Sequence, residues 1–316
     1  MPKQPKNTAS KKTSKSKRDT ARHAVNLPGY IAFSRSVLRQ LLTHRGIFGR
    51  LLLLAVGVLV FIAGVNSYGV YSDLSQTTED VSGQLSGGFF KTLVEVIALY
   101  LSVITGSLNG SVSEAQQIYI GLTYLMLWLV VVWLLRQQLV GSSVKLRDAL
   151  YSSAAPLLTT VLVLLFGVLQ LLPFALLVAL IAALSGASIL TGIFAIIGAL
   201  ISIAVFVLTL YWLSATLFAL NVATIPGTYP VVALRTAREL IAGYRMLVLR
   251  RVLWLGLVVL VASLVLVPFI LFDALLGYAL TLPVVLLITV WAVAMFVYSS
   301  SYLYLLYRGI IDERTD

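Results

Sequence analysis

The stretch Tyr229–Val252, YPVVALRTARELIAGYRMLVLRRV, decides how the chain is read. Apolar residues recur at helical spacing at Leu234, Ala237, Ile241, Tyr244 and Val248, while Arg235, Arg238, Ala242 and Arg245 line the neighbouring face. A basic amphipathic helix that runs almost directly into a long apolar segment belongs at the cytoplasmic face of a membrane. It is expected to lie in the headgroup layer and to turn into the bilayer near Arg250 and Arg251.

Composition agrees with a membrane protein. Hydrophobic residues make up 59% of the chain and charged residues 11%, with a mean hydropathy of +0.98, which is too apolar and too poorly charged for an ordinary soluble domain. Cysteine is absent, which excludes disulfides, thiolate nucleophiles and thiolate-ligated metals. The net charge of +11 lies nearly all in the amino-terminal region, so its placement says more than its size.

Residues 1–27 are rich in Lys, Ser and Thr and read as a disordered basic cytoplasmic tail, too polar to offset the entropy of ordering. No apolar run follows closely enough for a signal peptide. Each basic residue near an anionic leaflet contributes about 1 kcal/mol before screening, so anionic membrane lipid is the expected partner. Nucleic acid is disfavoured, because no aromatic residue interleaves the charges to stack on bases.

Residues 28–50, PGYIAFSRSVLRQLLTHRGIFGR, predict a first interfacial helix with Tyr30, Val37, Leu38, Leu41 and Leu42 opposite Arg35, Arg39 and Thr43. The membrane domain is expected over 51–308, with six spans at Leu51–Tyr71, Ile118–Leu135, Ala154–Leu184, Ile189–Leu220, Val252–Phe272 and Leu280–Tyr302. It carries an outer loop at 72–117 and the inner helix at 229–251, and a cytoplasmic tail at 309–316 closes the chain. Within the outer loop, 89–104 reads as an amphipathic helix on the outer leaflet, with a short crossing as the alternative. The third and fourth stretches, about 45 Å long if helical against a core of about 30 Å, must tilt, protrude or break, and Pro173 marks a place for a kink in the third.

Of the 23 Lys and Arg residues, all but Lys91 fall in the segments assigned to the inner side. The positive-inside rule then selects an all-α polytopic bundle of six spans with both termini in the cytoplasm, in the cell membrane.

A faint internal repetition accompanies this. LRDA at Leu146–Ala149 matches LRTA at Leu234–Ala237, LPFALLVAL at Leu172–Leu180 echoes VPFILFDAL at Val267–Leu275, and Arg35, Arg45 and Arg50 share one offset with Arg235, Arg245 and Arg250. Three units, each an interfacial helix followed by two spans, would explain these matches. Chance likeness between hydrophobic stretches is the rival reading.

The run Ala233, Leu234, Ala237, Leu240, Gly243, lying between two spans, resembles the "AL..S..L..G" signature of the membrane domain associated with glycerophosphodiester phosphodiesterases and its uncharacterised bacterial six-span relatives. The likeness extends over about Lys145 to Val265. This chain has Ala237 where that family usually has Ser, and ATIPGTYP at Ala223–Pro230 where it has an acidic residue. The resemblance implies a membrane domain without catalysis of its own, since the enzyme members carry a separate soluble catalytic domain.

The residues themselves point the same way. His23 and His44 are the only histidines and lie outside the spans, so no span offers an imidazole for a metal, a proton relay or a serine triad. G-x-S-x-G, a P-loop and paired intramembrane carboxylates are all missing. Asp273 reads as a loop residue and Glu239 as a moderator of the basic face. Gln170 is costly against lipid and is expected to hydrogen-bond across a helix interface. No cofactor or metal is expected. The candidate headgroup contacts are Arg35, Arg39, Arg235, Arg238, Arg245, Arg250 and Arg251. The expected role is a non-enzymatic scaffold or accessory protein that binds anionic lipid or a protein partner; the alternative is a transporter or permease-like subunit.

Overall fold

The computed structural model describes residues 28–63, 113–142, 144–186, 193–225, 227–266, 268–269, 272, 276 and 281–315. The amino-terminal tail, the outer loop with its 89–104 helix, and Asp273 lie outside the described residues. Nine α-helices occur among those described: α1 (Tyr30–Thr43), α2 (Arg45–Ala63), α3 (Glu114–Leu139), α4 (Leu146–Ser153), α5 (Leu157–Gly186), α6 (Ile193–Ala223), α7 (Pro230–Leu240), α8 (Arg245–Ser263) and α9 (Thr281–Thr315). Six of them, α2, α3, α5, α6, α8 and α9, are long and apolar enough to cross a membrane. The fold is an all-α, polytopic membrane helix bundle. Its outer surface carries large apolar side chains, Phe61, Leu165, Leu176 and Leu200 among them, as a surface solvated by lipid rather than water requires.

The inner helix expected over 229–251 is two helices. Its chain leaves α7 at Ile241, passes through a four-residue turn containing Gly243 at φ +94°, and re-enters helix at Arg245. Hydropathy alone could not show this break, because the turn keeps the stripe in phase: Ala233, Ala237, Ile241 and Val248 are all fully buried. At Gly243 a Cβ would meet no other atom, so its left-handed backbone alone sets the cost of a side chain. Gly243→Ala is expected to destabilise by about 1 kcal/mol, seen as a lower melting temperature in detergent; an unchanged melting temperature would show that the turn relaxes freely.

The same break occurs twice more. The helix expected to continue to Arg50 stops at Thr43, and α2 begins at Arg45, six residues before the expected start of the span. Helix α4 ends at Ser153, and α5 begins at Leu157 after Ala154–Pro156. In all three places the amide of the fourth residue of the new helix donates to the last residue of the turn: Phe48 to His44, Thr160 to Pro156 and Val248 to Tyr244.

Counted from the starts of α2, α5 and α8, buried positions fall in register. Val37, Ala149 and Ala237 are equivalent and buried; so are Phe48, Thr160 and Val248, then Leu51, Val163 and Arg251, then Ala55, Gly167 and Leu255. Helices α2 and α8 are both 19 residues long. The chain is thus three units, each a short helix, a first span and a second span: α1–α3, α4–α6 and α7–α9.

The units close into a ring. Each short helix packs on the second span of the unit before it, α4 on α3, α7 on α6, and α1 on α9. Side chains make the seams specific. Phe33 of α1 meets Tyr302 of α9 edge-on at 4.8 Å, and Trp254 of α8 donates to the Ser34 hydroxyl at 3.1 Å. The carboxy-terminal halves of the second spans meet at the centre, where Phe218 of α6 stacks on Tyr307 of α9 and Arg136 of α3 reaches Thr224 just past α6. Because first spans lead away from the short helices and second spans return to them, all three short helices lie at one end. Helix α9 runs on through Arg308 to Thr315, so most of the expected tail at 309–316 continues the sixth span.

Gln170 on α5 accepts a 2.8 Å hydrogen bond from Thr216 Oγ1 on α6, the interhelical contact that its cost against lipid calls for. Helix α5 passes through Pro173 without ending there.

Candidate functional site

The end of the ring that carries the short helices is where the arginines gather. On α1, Phe33 and Val37 face inward and Leu41 is partly buried, leaving Arg35 and Arg39 exposed on the other side. Of the apolar stripe expected on this helix, Val37 is buried and Leu41 partly so, while Tyr30, Leu38 and Leu42 lie on the outer surface of the bundle. Helix α7 repeats the arrangement, burying Ala233 and Ala237 and exposing Arg235 and Arg238. Arg235 pairs with Glu239 at 3.1 Å across one helical turn; at such exposure the pair adds little stability. Arg250 is exposed at the start of α8. Arg35, Arg39 and Arg250 form no ion pair among the described residues.

Two further expected headgroup contacts, Arg245 and Arg251, are engaged by other elements of the protein. Arg245 lies over the Tyr211 ring at 5.3 Å, with Nη1 3.5 Å from the phenol oxygen. Arg251 corrects the sequence reading outright. It is 5% exposed, stacked over Tyr30 at 4.5 Å and Phe33 at 5.4 Å, and its Nη2 donates to the carbonyl of Pro28. No carboxylate pairs with it among the described residues. It stands at the position held by Leu51 and Val163 in the other units, so the register that buries those side chains also buries the cation. Aromatic faces replace a counter-ion there.

A third arginine, Arg136, was not among the candidates. It is half-buried in the last turn of α3, where Nη1 donates to the Thr224 carbonyl at 3.1 Å and Nη2 to its hydroxyl at 2.6 Å. Thr224 is itself held by a 2.7 Å bond to the Asn221 carbonyl. Arg136 lines a cavity of about 200 Å³ between the first two units, with Trp133 and Gln137 of α3, Ser152 and Ser153 of α4, and Pro156 at the mouth of α5. The sequence signal for it was slight: one cation at the end of an apolar run, indistinguishable from an ordinary topological charge.

The described residues hold no cluster of three His, Cys, Asp or Glu side chains arranged to bind a metal. His44 sits at the turn between α1 and α2.

This geometry defines a six-span helical membrane protein with a basic end and an arginine-lined cavity beside it. Compared with protein-family models, with curated proteins and with solved structures, the chain matches none.

Proposed function

We propose that the protein is a non-enzymatic scaffold or accessory protein of the cell membrane that binds anionic lipid at its arginine-bearing end. That end faces the cytoplasm, and both termini lie on that side. One observation carries the reading: α1 and α7, in equivalent places of the ring, each bury small or apolar residues against the bundle and turn two arginines outward. Basic side chains on short helices, next to first spans that leave at once for the bilayer, meet phosphate headgroups at their own depth. The likeness of Ala233–Gly243 to the non-catalytic membrane domain of the phosphodiesterase-associated family is consistent with this role. The distribution of Lys and Arg supports the sidedness.

Replacing Arg35, Arg39, Arg235 and Arg238 together by Gln should weaken anionic-surface attraction by a few kcal/mol before salt screening. The fluorescently labelled protein, diluted from detergent onto preformed vesicles, should then prefer phosphatidylglycerol over phosphatidylcholine vesicles less strongly than the parent does, the remaining basic residues of the same side keeping part of the preference. Equal preference in parent and variant would remove the support for lipid binding.

A further inference from the structure

The seam between the first and second units holds the cavity just described. Ser153, 2% exposed, lines it from α4, and Leu129, 1% exposed, from α3. The equivalents of Ser153 are Leu41 and Ile241: Leu41 packs against the core and Ile241 is fully buried in it. Serine in place of a branched aliphatic chain leaves the seam open and lines it with a hydroxyl. Nothing in packing alone favours such a void, because unfilled space and buried polar atoms both cost stability.

The groups around the space share one preference. Arg136 is held from one side by Thr224, which uses two of the five donors of its guanidinium. No carboxylate neutralises it among the described residues. Ser152 brings a hydroxyl, Ser153 one whose proton is already given to the Leu150 carbonyl at 3.3 Å, and Gln137 an amide whose oxygen already accepts from Ser142. Pro156, at the cavity wall, immediately precedes the 30-residue helix α5, so the positive end of that helix dipole lies next to the space. Trp133 and Leu129 supply an apolar wall. A fixed cation with three donors beyond those given to Thr224, the Ser152 hydroxyl and a helix start favour an anion with several acceptor oxygens, and the apolar wall suits a carbon substituent on it.

We propose that this cavity is a one-to-one binding site for a phosphate-bearing anion, with Arg136 as its principal ligand and Ser153 as the residue that keeps it open. The proposal rests on the reading of this end as an anion-binding surface and assigns to it a single stoichiometric site. A phospholipid headgroup and a free phosphate ester share the required chemistry.

The full chain, purified in neutral detergent and titrated in native mass spectrometry, tests this with four probes: dioleoylphosphatidylglycerol, dioleoylphosphatidylcholine, glycerol 3-phosphate and inorganic phosphate. The parent protein should retain one molecule of the anionic lipid or of a free phosphate in preference to phosphatidylcholine. Which of the two adducts forms identifies the source. Arg136→Gln should weaken that adduct at least tenfold, and Arg136→Lys should recover part of it as a point charge without the fork. Ser153→Leu, which installs the residue found at the equivalent place in the first unit, should abolish the adduct while holding or raising the melting temperature, so lost binding cannot be taken for lost folding. The four-arginine surface variant should keep the adduct. If that variant shows a weakened vesicle preference and loses the adduct, the discrete site is overturned and only diffuse surface attraction stands. If it keeps the parent's full preference while the parent shows the adduct, the surface reading fails and the site stands. Equal adducts in parent, Arg136→Gln and Ser153→Leu, or none with any probe, would overturn the proposal.

Discussion

Arg251→Ala should lower the melting temperature of the detergent-solubilised protein more than loss of any exposed arginine, at a cost of about 2–3 kcal/mol. Two losses add: the stacked cation, about 2 kcal/mol when desolvated, and the charge-assisted hydrogen bond to the Pro28 carbonyl, about 1.5–3 kcal/mol. Against them stands the relief of no longer burying a charge, which keeps the net below the sum. The void between Tyr30 and Phe33 tips the balance further toward destabilisation. Arg251→Leu, carrying the residue of the equivalent position Leu51, refills that void and should cost about half as much. Arg251→Lys should do worse than leucine, because a compact, strongly hydrated ammonium cannot lie flat between two rings. Trp254, 5.6 Å from the Tyr30 ring and bonded to Ser34, reports locally: its fluorescence should shift at lower temperature than the global transition if α1 undocks first. Equal melting for the alanine, leucine and lysine variants would show that Arg251 does not clamp the first unit to the third.

The burial of Arg251 also shows where sequence reasoning stops. Spans were legible because a bilayer demands a long apolar run, and six such runs stand in the sequence whatever they pack against. The basic faces of α1 and α7 were legible because arginine and apolar residues separate at helical spacing. Periodicity says which side chains could share a face, but not which face meets a neighbour. Leu38 and Leu42 share a stripe with Val37, although the bundle buries only Phe33 and Val37, and Leu41 in part. The break at Gly243 had a signal in the glycine, and that before Leu157 had one in Pro156; the break at His44 had none, since its backbone is of a kind any residue adopts. An arginine at the end of an apolar run looks alike whether it reaches water, stacks on rings or lines a cavity. Only the register of the three units separates the cases. It sets Arg251 beside Leu51 and Val163, and Ser153 beside Leu41 and Ile241. The sequence hinted at that register in LRDA and LRTA, which share the offset of the starts of α5 and α8, whereas the likeness of LPFALLVAL at Leu172–Leu180 to VPFILFDAL at Val267–Leu275 falls outside it and obscured it.

The register makes a second strong expectation, at Gly167. The first and third units carry Ala55 and Leu255 at the equivalent place, both buried, so the fold as such tolerates a side chain there. The second unit does not, because α5 and α6 lie closer. A Cβ on residue 167 would stand 3.2 Å from the Thr216 methyl and 3.8 Å from Leu213 Cδ1. Thr216 cannot swing aside, since its β-branched rotamer is fixed by the hydroxyl bond to Gln170. Gly167→Ala therefore asks for a shift of a few tenths of an ångström and should cost less than about 1 kcal/mol. Gly167→Leu, the residue of the third unit, drives further carbons into α6. It should cost about 3 kcal/mol, from overpacking of 1–3 kcal/mol and an interhelical hydrogen bond of about 0.6–1.7 kcal/mol that the displaced Gln170 no longer makes. Thr216→Ser removes the obstructing methyl and keeps the hydroxyl, so in the Gly167→Ala background it should return the melting temperature to that of Thr216→Ser alone. Simple additivity of the two substitutions would mean that the methyl is not the obstacle, and that the closeness of α5 and α6 has another cause.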